Sequence, residues 1–228
     1  MFFDSNYLLF VFLPALLLSL AAQAFVRGAY SKWGKTPNGA GLTGLQVAQQ
    51  ILSRTDVKGV QLEGVPGELT DHYDPRTQTV RLSQGNASTP SVAAMAVVAH
   101  ELGHAQQHQQ GSILISMRNF LVPAVQFSPQ LGYLLIFAGL ILRISGLIYV
   151  GIVLFGVMVV FMILTLPVEF DASRRGMILL RESAVMTSET DQQGAQQVLT
   201  AAGFTYVAAA IGAVLQLLYY LSLANRRR

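Results

Sequence analysis

"FLVPAVQFSPQLGYLLIFAGLILRISGLIYVGIVLFGVMVVFMILTLPV", residues 120–168, decides the fold. It contains two apolar runs, Phe120–Leu142 and Leu147–Val168, parted only by Arg143-Ile144-Ser145-Gly146. Each run suffices to cross a bilayer as a helix, which takes about 20 residues. So short a connection makes the two helices antiparallel, and the stretch reads as a membrane hairpin. Two further runs of spanning length, Tyr7–Val26 and Phe204–Ala224, stand near the chain ends. In the last, the Ala209/Ala213 and Ala208/Gly212 spacings put small residues on one face, which suits close helix packing in lipid.

Composition agrees with a membrane protein. Hydrophobic residues make up 52% and charged ones 12%, with a mean hydropathy of +0.46. That charge is about half of what a soluble domain usually carries. The first run ends in Ala22-Gln23-Ala24, which imitates a signal-peptidase site. A signal peptide wants a basic start, however, and this chain begins Met-Phe-Phe-Asp, so an uncleaved anchor is expected. The net charge is only +3, and the arginines flank apolar runs instead of forming a nucleic-acid stripe with aromatics. With no cysteine, the chain has no disulfide framework, thiolate ligand or cysteine nucleophile.

The expected organisation is an anchor over 1–26, a polar α+β region over 27–118 and a membrane hairpin over 119–168. A polar helical region over 169–202 and a last span with a basic tail over 203–228 complete it. Within the first polar region, "SKWGKTPNGAG" is a linker and "TGLQVAQQILSR" a helix with Thr43 as N-cap. Its apolar face carries Leu45, Ala48, Ile51 and Leu52. "DHYDPRTQTVRLS" reads as two short strands around the turn Asp74-Pro75-Arg76. Pro90 precedes "SVAAMAVVAHELGHAQQHQQ", an alanine- and valine-rich helix.

That helix carries His100-Glu101-Leu102-Gly103-His104, the H-E-x-x-H pattern. Residues four apart stack on one helical face, so both imidazoles can reach one zinc ion. Glu101 lies about 100° further round, where it serves a water at the metal and not the metal itself. His108 is not the third ligand: on a straight helix it is about 12 Å along the axis from His100. With no cysteine and only His72 left over, a carboxylate is expected. Glu169 is the first acid after Glu101 and follows directly on the third span. A carboxylate at a membrane boundary needs a cation partner, and a salt bridge to Arg174 or Arg175 competes with the metal for that role. Asp171, Glu182 and Glu189 remain rival ligands.

"LTDHYDPRTQTVRLS", "AHELGHAQQH" and "LPVEFDASRR", in this order on an anchor–domain–hairpin–anchor frame, resemble the YugP-like membrane zinc metallopeptidases of bacteria. The resemblance covers nearly the whole chain. It implies His100 and His104 as zinc ligands and Glu101 as the catalytic acid/base. A looser likeness is to HtpX-type membrane peptidases, in which a glutamate opening an E-x-x-x-D helix is the third ligand and its aspartate orients a histidine. Glu169 matches that glutamate, but the position four on is Ser173. Asp171, two on, lies about 200° round the helix and cannot simply substitute. The partner that orients the histidines is therefore unassigned.

The expectation is a mainly α membrane protein of about four spans, with a small α+β zinc-peptidase region of gluzincin-like type. It would bind one zinc ion, lie in the lipid bilayer and cut peptide bonds of membrane-associated or misfolded proteins. The competing reading is a catalytically silent scaffold that keeps zinc for structure. An exposed strand edge beside the zinc helix could pair with an extended substrate, with His72 or Tyr73 steadying the oxyanion; an ordinary hairpin is the plain alternative. Arg27, Lys32 and Lys35 follow the first span and Arg174, Arg175 and Arg181 the third, so the positive-inside rule puts the site in the cytoplasm. Arg226-Arg227-Arg228 then falls on the opposite side, against the rule.

Overall fold

The structure is a computed structural model that describes residues 4–225. Four of its helices are long and apolar enough to cross a membrane: Ser5–Trp33, Ile113–Leu142, Ser145–Glu182 and Glu189–Asn225. Each outruns its apolar segment. Continuing the helix keeps every peptide N–H paired, so the chain leaves the apolar stretch without ending the element. The first of them runs unbroken through Ala22-Gln23-Ala24. By contacts the chain divides into two compact units. One comprises Met1–Ala22, Ser116–Pro167 and Phe204–Arg228, the other Gln23–Ile115 and Val168–Gly203.

In the apolar unit the hairpin connection is tighter than its sequence implies. Helix ends at Leu142 and restarts at Ser145, leaving only Arg143 and Ile144 between. Arg143 takes a left-handed φ of 59°, and the Ile144 N–H donates back to Gly139 O at 2.9 Å. Glycine lets the two helices approach: a Cβ on Gly151 would lie 2.7 Å from Gly132 O. Ile136, Leu140, Ile148, Ile152 and Ala224 are buried together as a result. The small-residue face of the last span is packed only in part, since Ala209 is exposed. Ala208 and Ala213 are buried, and a Cβ on Gly212 would meet Ala15 at an ordinary 3.6 Å.

The polar unit is built around the helix Val92–Gln109. Ser91 caps it by accepting from the Ala94 N–H at 3.1 Å. Against it packs the helix Gly44–Arg54, opened by the expected Thr43 cap as a reciprocal box with Gln46. Its buried face is Val47, Ala48 and Ile51, while Leu45 is 40% exposed. Leu45 was expected inside. The helix is instead rotated to bring Gly44 against Asn86 O, where a Cβ would sit at 2.1 Å.

A three-stranded sheet completes the unit, in the order β1 (Gln61–Val65), β3 (Thr79–Ser83), β2 (His72–Asp74). β2 and β3 are the expected antiparallel hairpin, whereas β1 pairs with β3 in parallel. Asp71 fixes the hairpin: its carboxylate accepts from the Ser83 N–H, the Ser83 hydroxyl and the Asn86 amide at 2.7–2.9 Å. Trp33 is buried and donates from Nε1 to Gln197 Oε1 at 2.7 Å, anchoring the end of the first helix.

Candidate metal centre

His100 and His104 lie one turn apart on the Val92–Gln109 helix, with ring centroids 4.7 Å apart. Glu169 comes from the Ser145–Glu182 helix and is 3% exposed. Its Oε2 stands 3.3 Å from His100 Nε2 and 3.5 Å from His104 Nε2. Ligands about 2.0–2.1 Å from a tetrahedral zinc are separated by about 3.4 Å, the edge of that tetrahedron. Both distances from the carboxylate match that edge, and the donor atoms of all three residues lie within 4.8 Å of one another, close enough to share an ion. The rival acids stand elsewhere. Among the described residues the only such cluster is His100, His104 and Glu169; Glu182 and Glu189 are exposed. Asp171 binds both arginines, accepting from Arg174 and Arg175 at 2.6 Å each.

Two glycines allow this approach. A Cβ on Gly103 would lie 2.3 Å from Ala172 O, and one on Gly176 would lie 2.9 Å from Ala99 O. The helices thus cross backbone to backbone, Ala99 and Gly103 on one facing Ala172 and Gly176 on the other. Gly103 sits inside the H-E-x-x-H run itself, so the motif carries its own contact surface. The paired small residues, each four apart, were readable in the sequence but were overshadowed by the histidines beside them.

The partners that orient the histidines also escaped the sequence. His104 Nδ1 lies 3.0 Å from Gln107 Oε1, and His100 Nδ1 lies 3.2 Å from Ser173 Oγ. Gln107 is 1% exposed. Its Nε2 donates both hydrogens, to Val168 O at 2.9 Å and Asp171 Oδ2 at 2.8 Å. Both recipients are acceptors only, so the amide orientation is set by its surroundings. Oε1 must then accept, and His104 Nδ1 must donate. In the neutral imidazole that leaves His104 Nε2 as an acceptor facing a carboxylate oxygen. Two acceptors at this distance repel unless a cation stands between them. Burial alone would lower the His104 pKa, but Glu169 and Glu101 beside it hold the group above its ordinary value. The surroundings that favour a proton there favour a divalent metal for the same reason.

Glu101 is also buried, at 8% exposure. Tyr73 is half-buried and its hydroxyl lies 2.9 Å from His108 Nδ1, tying β2 to the last turn of the helix. Strand alternation turns His72 to the other face of the sheet, where it is exposed and lies 2.8 Å from Thr70 O. The structure thus brings Tyr73 to the histidine helix and His72 away from it.

The chain belongs to a family described as "Putative neutral zinc metallopeptidase", whose pattern matches residues 8–225. Among its relatives is a Bacillus subtilis (strain 168) protein named "Putative membrane protease YugP". That protein is 40% identical over 216 residues, covering 93% of this chain and 95% of the relative. No solved structure matches the chain.

Proposed function

We propose that the protein is a membrane zinc endopeptidase that hydrolyses peptide bonds of membrane-associated or misfolded proteins. One observation carries this reading: a buried carboxylate oxygen stands at tetrahedral-edge distance from two imidazole Nε2 atoms, beside a further buried glutamate. His100, His104 and Glu169 would hold the ion and leave a fourth position open. Zinc, when bound, supplies a Lewis acid that polarises the scissile carbonyl and acidifies a water. Glu101 takes the proton of the attacking water and passes it to the leaving amine. β2 is an edge of the sheet, so an extended substrate could pair along it. Of the two oxyanion candidates, the Tyr73 hydroxyl is favoured over His72, because only Tyr73 faces the helix.

A silent zinc scaffold has no use for the buried Glu101 carboxylate. The two readings separate in detergent-purified protein. Zinc per chain and cleavage of casein are measured before chelation, after it and after zinc is restored. The expected result is one zinc per chain, with cleavage lost and regained alongside it. Zinc at that ratio without cleavage of any unfolded substrate would favour the scaffold.

The basic residues after the first and third apolar runs support a cytoplasmic site by the positive-inside rule; the opposing Arg226-Arg227-Arg228 lies outside the described residues. Single cysteines report the side cleanly in a chain that has none. Ser5 and Thr77 are both exposed. With an impermeant thiol reagent on intact cells, Ser5→Cys should react and Thr77→Cys should not. The reverse pattern would put the site outside.

A further inference from the structure

In the HtpX-like arrangement a carboxylate four residues after the ligand glutamate orients a histidine directly. Here that position is Ser173, a neutral hydroxyl against His100. We propose that this chain orients its other histidine instead, through an amide relay in which Gln107 and Asp171 are positioning residues for the metal centre. The proposal rests on His100, His104 and Glu169 being the zinc ligands.

The relay has three links. His104 Nδ1 donates to Gln107 Oε1 at 3.0 Å, Gln107 Nε2 donates to Asp171 Oδ2 at 2.8 Å, and Arg175 Nε donates to the same oxygen at 2.6 Å. Asp171 faces away from the zinc-ligand edge of its helix, about 200° from Glu169, and reaches the histidine only because Gln107 bridges the gap. A buried amide with all of its polar groups engaged has one orientation, so it passes the pull of the carboxylate to the imidazole. The pull does two things. It holds the hydrogen on Nδ1, keeping Nε2 available, and it makes Nε2 a stronger donor to a cation. The Gln107 bond to Val168 O also ties the relay to the backbone directly before Glu169. One side chain therefore sets the aim of one ligand and holds the segment carrying another.

A structural role for Asp171, as the anchor of Arg174 and Arg175, must be separated from the relay. A swap does this. In Asp171→Asn the relay ends on a neutral amide. In Gln107→Glu two carboxylates face each other with no proton between them. In the double variant Gln107→Glu/Asp171→Asn the carboxylate at 107 accepts from His104 Nδ1 directly and from the amide at 171. The links from 104 to 107 and from 107 to 171 are restored, while the bonds to Val168 O and from Arg175 Nε are lost. Zinc affinity is measured by chelator competition in purified protein, with folding followed by thermal unfolding of the zinc-free form. Each single variant is expected to lose about tenfold to a hundredfold in zinc affinity, the usual cost of an outer partner. The double variant should recover most of that loss. If Asp171 only anchors the arginines, the double variant stays as weak as Asp171→Asn, and the relay is wrong. Unchanged affinity in both single variants would also overturn it. Absence of zinc from the unsubstituted protein would instead sink the metal-site reading, and the relay with it.

Discussion

Glu101→Gln should keep zinc and fold while losing peptide cleavage by about two to four orders of magnitude, the range that a general base contributes. The amide has nearly the size and shape of the carboxylate but cannot take a proton at neutral pH. Glu101 is buried and stands about 100° round the helix from His100, off the ligand face. Its loss should therefore not open a coordination position. Three measurements check this: zinc per chain, thermal unfolding, and cleavage under single-turnover conditions. Turnover equal to that of the unsubstituted protein would remove Glu101 from the chemistry. Loss of zinc along with activity would make it a ligand or a structural support.

The second large effect is on the metal. Glu169→Ala takes a buried carboxylate from between two imidazoles and should cost more zinc affinity than the tenfold to hundredfold expected for an outer partner. Glu169→Asp keeps the charge but shortens the arm by about 1.5 Å, where a metal bond tolerates about 0.2 Å. It should be nearly as damaging. On the proposed ligand set, the site needs reach as well as charge. Asp171→Ala should fall between these and Glu182→Ala, whose exposed carboxylate lies outside the cluster and whose loss should leave zinc unchanged. The readout is zinc per chain after dialysis. Full zinc in Glu169→Ala, with loss in Glu182→Ala, would move the third ligand to that acid.

Sequence patterns with a fixed period were legible. The four apolar runs, the Thr43 cap, the β2–β3 hairpin and the stacking of His100 over His104 all follow from spacing along one chain segment. Glu169 was reachable too, because an acid directly after a long apolar run is conspicuous. What escaped depended on contacts between distant segments. β1 has a mostly exposed burial pattern with no clean alternation, and its place comes from the backbone of β3. Leu45 and Val47 compete for the same helical face, and the choice rests on Gly44 meeting Asn86 O. Ser173 is an unremarkable letter until two helices cross and set it against an imidazole, and Gln107, one turn from His104, gains its orientation only from Val168 O and Asp171 across that crossing. The Asp171 carboxylate, set aside because helical geometry turns it from the histidines, does face away; a glutamine longer than the gap overcomes the geometry.

The crossing at Gly103 and Gly176 also bears on the order in which the protein matures. The histidine pair is synthesised long before the segment that carries Glu169, and the two meet only where bare backbones touch. Until residues 168–203 dock, a nascent chain has two of the three proposed ligands and lacks the Asp171 end of the Gln107 bridge. Zinc binds weakly to such a half-site, since its affinity comes from the assembled set. The proposed metal centre is thereby incomplete while the chain is being made and inserted. Assembly of the site becomes a report that the membrane hairpin has been threaded and the last helix begun, a checkpoint written into the packing.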